Sequence, residues 1–164
     1  MGEAIQIIRK ADANEVLLLA HLIRNSYRDV AARFNLTPQN CPKHPSNCTS
    51  DWVEKDVNRG VSYYCLDLDE KTIGCAAFEK ASPGEGYLER LAVLPEYRYR
   101  GFGKALIRHV FDVARTTEIR RVGIGIISEQ QDLKQWYERM GFVEQEIKIF
   151  PHLPFKVSLM ACTF

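Results

Sequence analysis

No stretch of this chain is apolar for long enough to cross a bilayer. A spanning helix needs about 18–20 consecutive apolar residues, and the 164 residues contain no such run. Charge of one sign is also missing. Twenty-two Lys and Arg stand against 21 Asp and Glu, a formal net charge of +1. Neither nucleic acid nor an anionic membrane is therefore implied as an obligate partner. The opening Met1-Gly2-Glu3-Ala4-Ile5-Gln6 lacks the basic-then-apolar order of a secretory leader. Gln6 also stands where an N-myristoylation signal at Gly2 wants Ser or Thr. The expectation is a cytoplasmic chain.

Cysteines are few and odd in number: Cys41, Cys48, Cys65, Cys75 and Cys162. A disulfide scaffold is not expected, and buried, reduced thiols are. Asn35-Leu36-Thr37 and Asn47-Cys48-Thr49 match the glycosylation sequon, which in a cytosolic chain is coincidence. Cys41-Pro42-Lys43-His44-Pro45-Ser46-Asn47-Cys48 places three zinc-type ligands in one loop, but a structural site wants four. No metal is expected there. An ordered loop is the expectation, and a zinc-stabilised interaction domain is the alternative. Internal repeats and low-complexity segments are absent as well.

What is present is a composition 46% hydrophobic and 26% charged, ordinary for a globular core, at a length suited to one domain over residues 1–164. Hydrophobic spacing orders the elements. A strand covers Ile5–Arg9, and helical spacing runs through Val16, Leu19, Ala20, Ile23 and Tyr27. A loop spans Phe34–Ser50, and a short helix around Trp52–Val57 ends at Asn58-Arg59-Gly60. Strands follow at Val61–Leu68, Thr72–Lys80 and Tyr87–Val93, then a helix from Gly103 to Thr116 or Thr117. A strand Val122–Ile127, a helix Gln130–Met140 and strands Phe142–Ile149 and Phe155–Cys162 complete the order. Strands predominate with helices between them, so the class is mixed α/β or α+β.

The segment Leu88–Lys104 runs from a strand through Pro95 and a basic, glycine-spaced turn into a helix. Glycines permit unusual backbone angles and close approach. The free amides of a first helical turn favour phosphate, and Arg98, Arg100 and Lys104 add charge. A Walker loop is excluded because Ala105 follows Lys104, and a dinucleotide fingerprint because Leu106 stands at the third glycine. The spacing Arg98-x-x-Gly101-x-Gly103 by itself also suits a plain helix entry flanked by solvated arginines. Leu133, Trp136, Tyr137 and Met140 share one face of the next helix, where Tyr137 reads equally as a core aromatic.

Two segments together, Leu88–Lys104 and Gln135-Trp136-Tyr137-Glu138-Arg139-Met140-Gly141-Phe142, closely resemble the motifs of the GNAT superfamily of N-acetyltransferases. The element order agrees from about Ile5 to Cys162. The resemblance implies a twisted, mostly antiparallel sheet of about seven strands flanked by about four helices, with its fourth and fifth strands splayed apart. It further implies acetyl-CoA as cosubstrate, with pantetheine paired to backbone of Leu91, Ala92 and Val93. The diphosphate would rest on amides from Arg98 through Tyr99, Arg100, Gly101, Phe102 and Gly103 to Lys104. Gln130 takes the place of an Asn that many relatives use toward pantetheine.

Tyr137 would protonate the leaving thiolate, as a phenol with a reference pKa of about 10 can. An alkylammonium must lose a proton before it attacks. Glu89, read by strand alternation as sharing a face with Leu91 and Val93, is the candidate base. Tyr87 is the other candidate, and an ion pair of Glu89 with Arg90 or a neighbouring strand is the competing account. A strand amide near Leu91 or Ala92 would hold the oxyanion. The partner would be a small-molecule or peptide amine, and relatives often dimerise. The loop around His44 would help select the acceptor, and His152 would lie near its mouth. The alternative is an acyl-CoA-binding module without turnover.

Overall fold

The computed structural model describes residues 3–164, so the position considered for myristoylation, Gly2, lies outside them. Strand β1 (Gln6–Lys10) leads through a short 3-10 turn into helix α1 (Val16–Arg33), and helix α2 (Ser50–Asn58) follows the loop. Strands β2 (Ser62–Leu68), β3 (Lys71–Ser82) and β4 (Glu85–Val93) are consecutive. Helix α3 (Phe102–Thr116), strand β5 (Arg121–Ile127), helix α4 (Gln131–Arg139) and strands β6 (Val143–Ile149) and β7 (Lys156–Thr163) complete the chain.

Helix α1 runs six residues past Tyr27, the last position of the apolar spacing, because Val30 and Ala31 pack against a small cluster of Leu36, Cys41 and Ile127. The turn before β4 is tighter than Ser82–Gly86. Pro83 and Gly84 alone separate the strands, and Gly84 takes a φ of +80°.

The strands form one seven-stranded sheet in the order β1-β2-β3-β4-β5-β7-β6. Every adjacent pair is antiparallel except β4 with β5. The two faces bury different things. Side chains such as Leu66, Phe78, Leu88, Val122 and Ile124 pack with Leu106, Val110, Tyr137 and Phe142 beneath α3 and α4. Tyr63, Cys65, Cys75, Ala77 and Ala92 point the other way, against Leu19, Ile23 and Val53 of α1 and α2. Burial of these apolar side chains, each contributing about 1.5–3 kcal/mol, clamps the sheet between two helical layers. No helix among the described residues is long and apolar enough to cross a membrane.

Candidate active site

Parallel pairing of β4 with β5 stops after Glu85–Arg121, Gly86–Val122 and Tyr87–Gly123. Beyond Tyr87 the strands part, and the edge of β4 loses its partner. The Leu94 amide donates back to Ile73 on β3 at 2.9 Å. Strand backbone alternates in direction, so Ala92 also faces β3, opposite Cys75. Leu91 and Val93 face the opening. Of the three residues expected to pair with a pantetheine arm, Ala92 is thus spent on β3.

The carbonyls of the other two are already engaged. The Tyr27 hydroxyl donates to Leu91 O at 2.6 Å, and the Arg98 Nε donates to Val93 O at 3.2 Å. The edge therefore presents mainly N–H donors.

Strand alternation does not hold through β4. Arg90 takes a φ of +50°, and the register slips between Cys75–Ala92 and Ala77–Glu89. This β-bulge puts an extra residue on β4. Leu91 and Val93 pack on the α3 side, whereas Glu89 lies opposite Ala77, whose side chain faces α1 and α2. The expectation that Glu89 shares their face is corrected. Tyr87, opposite Glu79, keeps the face of Glu89. Its ring lies over Gly123, where a Cβ would come within 3.2 Å of it.

The head of α3 has the predicted geometry with one change. Gly101 is the N-cap at φ +84°, a left-handed backbone that L side chains resist. A Cβ on Gly103 would stand 3.2 Å from the Trp136 ring of α4, so this glycine lets α3 and α4 approach. The first amide of α3 with a backbone acceptor is Ala105, bonded to Gly101 O at 3.1 Å. Among the described residues, the amides from Tyr99 to Lys104 have no backbone acceptor.

Arg98 departs from expectation. Its amide is bonded to Pro95 O at 3.3 Å. Its guanidinium holds the Asp29 carboxylate at 2.5 Å, Ser26 O and Val93 O. It latches α1 to β4 and has no donor directed at the turn. Arg100 lies over the rings of Tyr97 and Phe102, while Tyr99 and Lys104 are exposed. The local positive charge is that of Arg100 and Lys104.

Tyr137 projects from α4 and is buried, edge-on to Trp136 and Phe142. Burial, and secondarily the neighbouring Tyr27, raises its phenol above the ordinary range and keeps it protonated at neutral pH. Its hydroxyl has no protein hydrogen bond among the described residues. Gln130 caps α4, its amide bonded to Ile127 O at 3.0 Å and its side chain half-buried.

Among the described residues Glu89 has no ion-pair partner. Arg90 instead donates to Asp56 at 3.0 Å and lies over Trp52. Burial, then the Glu79 carboxylate and Asp56, push the Glu89 carboxyl up to about 7 despite Arg90.

The cysteine-histidine loop does not converge on a metal. Cys41 packs with Leu36 and Ile127, and Cys48 enters the core under α1. His44 spends Nδ1 on Ser46. Among the described residues no group of three or more His, Cys, Asp and Glu could hold a metal ion. His44 is buried, and burial lowers its pKa to about 4. It stands edge-on behind Tyr27 at 5.8 Å and meets the cleft through that ring. His152 lies in the β6–β7 connection and is exposed. The spacing of α1 placed Tyr27 among core residues, and its bond to β4 left no signal in the sequence. Asp29, Asp56 and Glu79 were missed for the same reason.

This geometry has relatives. The model of the acetyltransferase (GNAT) family matches residues 25–142. The chain is 25% identical over 105 residues to a probable N-acetyltransferase camello of Xenopus tropicalis, covering 62% of this chain and 48% of that protein. It is 26% identical over 141 residues to an amino-acid acetyltransferase of Neisseria meningitidis, covering 85% and 28%. The chain thus spans about half or less of these curated relatives.

Two solved structures share the fold. The PaiA N-acetyltransferase of Thermoplasma acidophilum, in complex with coenzyme A, superposes with a TM-score of 0.82 at 15% identity over 98% of this chain and 99% of that one. The ribosomal-protein-S18-alanine N-acetyltransferase of Escherichia coli does so at 0.77 and 16%, over 97% and 94%. A splayed β4–β5 pair, an unpaired amide run at the head of α3 and a family match across both place this chain in the acetyltransferase (GNAT) family.

Proposed function

We infer that the chain is an N-acetyltransferase moving an acetyl group from acetyl-CoA to a primary amine by direct attack. The observation that carries this reading is the run of unbonded amides from Tyr99 to Lys104, set where the open edge of β4 ends. A helix N-terminus with free amides and a positive dipole end fits a diphosphate. The donor-rich edge at Leu91 and Val93 fits the carbonyls of an extended amide-bearing arm. The residues present therefore fit the cosubstrate.

Acetyl-CoA supplies an acyl carbon activated by a thiol leaving group. The chain supplies the rest. The Leu91 amide, free on the β4 edge, holds the acyl oxygen as negative charge develops there. Glu89, with a carboxyl near 7, takes the proton that frees the amine lone pair, directly or through water. Tyr137, protonated and without a protein partner, gives its proton to the departing sulfur. Each turnover consumes an ammonium and releases a thiol, an amide and one proton to solvent.

Isothermal titration with CoA, followed by thiol release from acetyl-CoA with a panel of primary amines, tests the reading. Saturable CoA binding with amine-dependent thiol release is expected. Absence of CoA binding refutes the site, and binding without release to any amine refutes the chemistry.

A further inference from the structure

Helix α1 reaches the open edge of β4 with the side chain of Tyr27. The Tyr27 hydroxyl gives its proton to Leu91 O at 2.6 Å, and its ring is braced edge-on against His44, which is itself bonded to Ser46. A phenol whose proton is committed offers only lone pairs to anything else that reaches it. A ligand atom bound there must bring its own hydrogen. An amine nitrogen does, whereas the carbonyl and sulfur of a thioester do not.

The site of contact matters too. Leu91 faces the opening, so an atom held on the Tyr27 oxygen lies beside the strand amide that would grip the acyl oxygen. Tyr27 comes from α1, and Glu89 faces α1 and α2. The base and this oxygen thus lie on one side of the sheet, while Tyr137 approaches from the α3–α4 side. The two phenols are complementary: Tyr137 has a proton to give, and Tyr27 has none.

We propose that Tyr27 positions the acceptor, its oxygen accepting a hydrogen bond from the amine N–H so that the nitrogen lone pair faces the acyl carbon. The step moves no proton through Tyr27. The amine's proton leaves to Glu89, and the Tyr27 proton stays on Leu91 O. This rests on the acetyltransferase reading above and adds to it a means of orienting the amine for attack.

The test is Tyr27→Phe, which keeps the ring and its contact with His44. With n-butylamine and alaninamide as probes, KM for the amine rises about tenfold or more, the loss expected for one hydrogen bond to a polar or charged partner. CoA affinity by calorimetry and amine-independent hydrolysis of acetyl-CoA fall by clearly less than the amine KM rises, because the variant frees only one carbonyl on the β4 edge. Unchanged amine KM, or a parallel loss of CoA affinity and hydrolysis, overturns the proposal. A merely structural tyrosine would give that parallel loss.

An independent measurement avoids the variant. The Tyr27 Cζ carbon, 13C-labelled in the CoA complex, shifts as n-butylamine is titrated in, and the absence of a shift overturns the proposal. A wild-type protein that binds CoA but acetylates neither probe refutes the parent reading instead, before any comparison of variants.

Discussion

Glu89 and Glu79 face the same side of neighbouring strands, two positions out of register, with their carboxyls within hydrogen-bonding reach. Among the described residues no cation pairs with Glu89, while Glu79 is held by Arg59 at 3.1 and 3.2 Å. Asp56 contributes further negative charge, offset by Arg90 and Arg59. A carboxyl in this setting takes up a proton far more readily than an exposed one.

The activity should follow that proton. As the proposed base, Glu89 would act only when ionised, and its carboxyl is raised to about 7. Amine-dependent kcat/KM is expected to rise with pH through about 7 and level off above it. Glu79→Gln removes the adjacent charge and shifts the limb to lower pH. A pH–rate profile of both proteins checks this, and a limb unmoved by Glu79→Gln would show that burial alone sets it.

The same repulsion carries a stability cost of known sign. The folded-state pKa of Glu89 lies above its unfolded value of 4.5, so the folded chain binds the extra proton between those two values. The favourable contribution is full below about 4.5 and is lost as pH rises through about 7. Glu89→Gln should therefore raise the melting temperature at pH 8 and change it little near pH 4, while lowering activity at pH 8, where the wild-type carboxyl is ionised. Thermal melts across that range measure it.

Tyr137→Phe retains the edge-on packing against Trp136 and Phe142 and removes only a hydroxyl without a hydrogen-bond partner among the described residues. Stability should change by less than about 1 kcal/mol, while kcat falls about 100-fold, within the usual range for loss of a general acid. CoA affinity should hold. Acceptance of a better thiol leaving group, such as an aryl thioester, would restore part of the rate if proton donation is what was lost.

The two glycines at the head of α3 fail in different ways. Gly101→Ala meets no neighbour but must hold φ +84°, a cost of about 1–2 kcal/mol. Gly103→Leu drives its side chain into the Trp136 ring, where even a Cβ would be 3.2 Å away. The second variant should displace α4 and abolish CoA binding, and the first should weaken binding only modestly. Calorimetry with CoA beside a denaturant melt distinguishes them.

Arg98 and Lys104 should separate structure from ligand. Arg98→Met breaks the latch onto Asp29, Ser26 O and Val93 O, at about 1–2 kcal/mol, chiefly for the two carbonyls left without a donor, since the Asp29 carboxylate is half-exposed and its ion pair adds little. Lys104→Met breaks no ion pair among the described residues. It should leave stability unchanged, lower CoA affinity and flatten the salt dependence of binding. The outcome that contradicts the assignment is a Lys104→Met protein that binds CoA like wild type at low salt.

The order of elements was readable in the chain because hydrophobic period is a local property: two residues for strands, 3.6 for helices. The turn at Gly101 was readable for a similar reason, since a left-handed backbone followed by free amides needs only neighbouring residues. So was α4, expected over Gln130–Met140 and formed over Gln131–Arg139.

What the fold alone decided were the partners of polar groups. Arg98 looked like a phosphate ligand until Asp29, 69 residues earlier, claimed it. Tyr27 looked like core until it reached Leu91 O, 64 residues on. Glu89 changed face because a bulge is a property of two paired strands and cannot be read from one. Sequence determines which backbone and side-chain groups exist and the shapes their near neighbours permit. Which of them remain free for a ligand depends on segments brought together only by packing, because a hydrogen bond acts over about 3 Å of space whatever the distance along the chain.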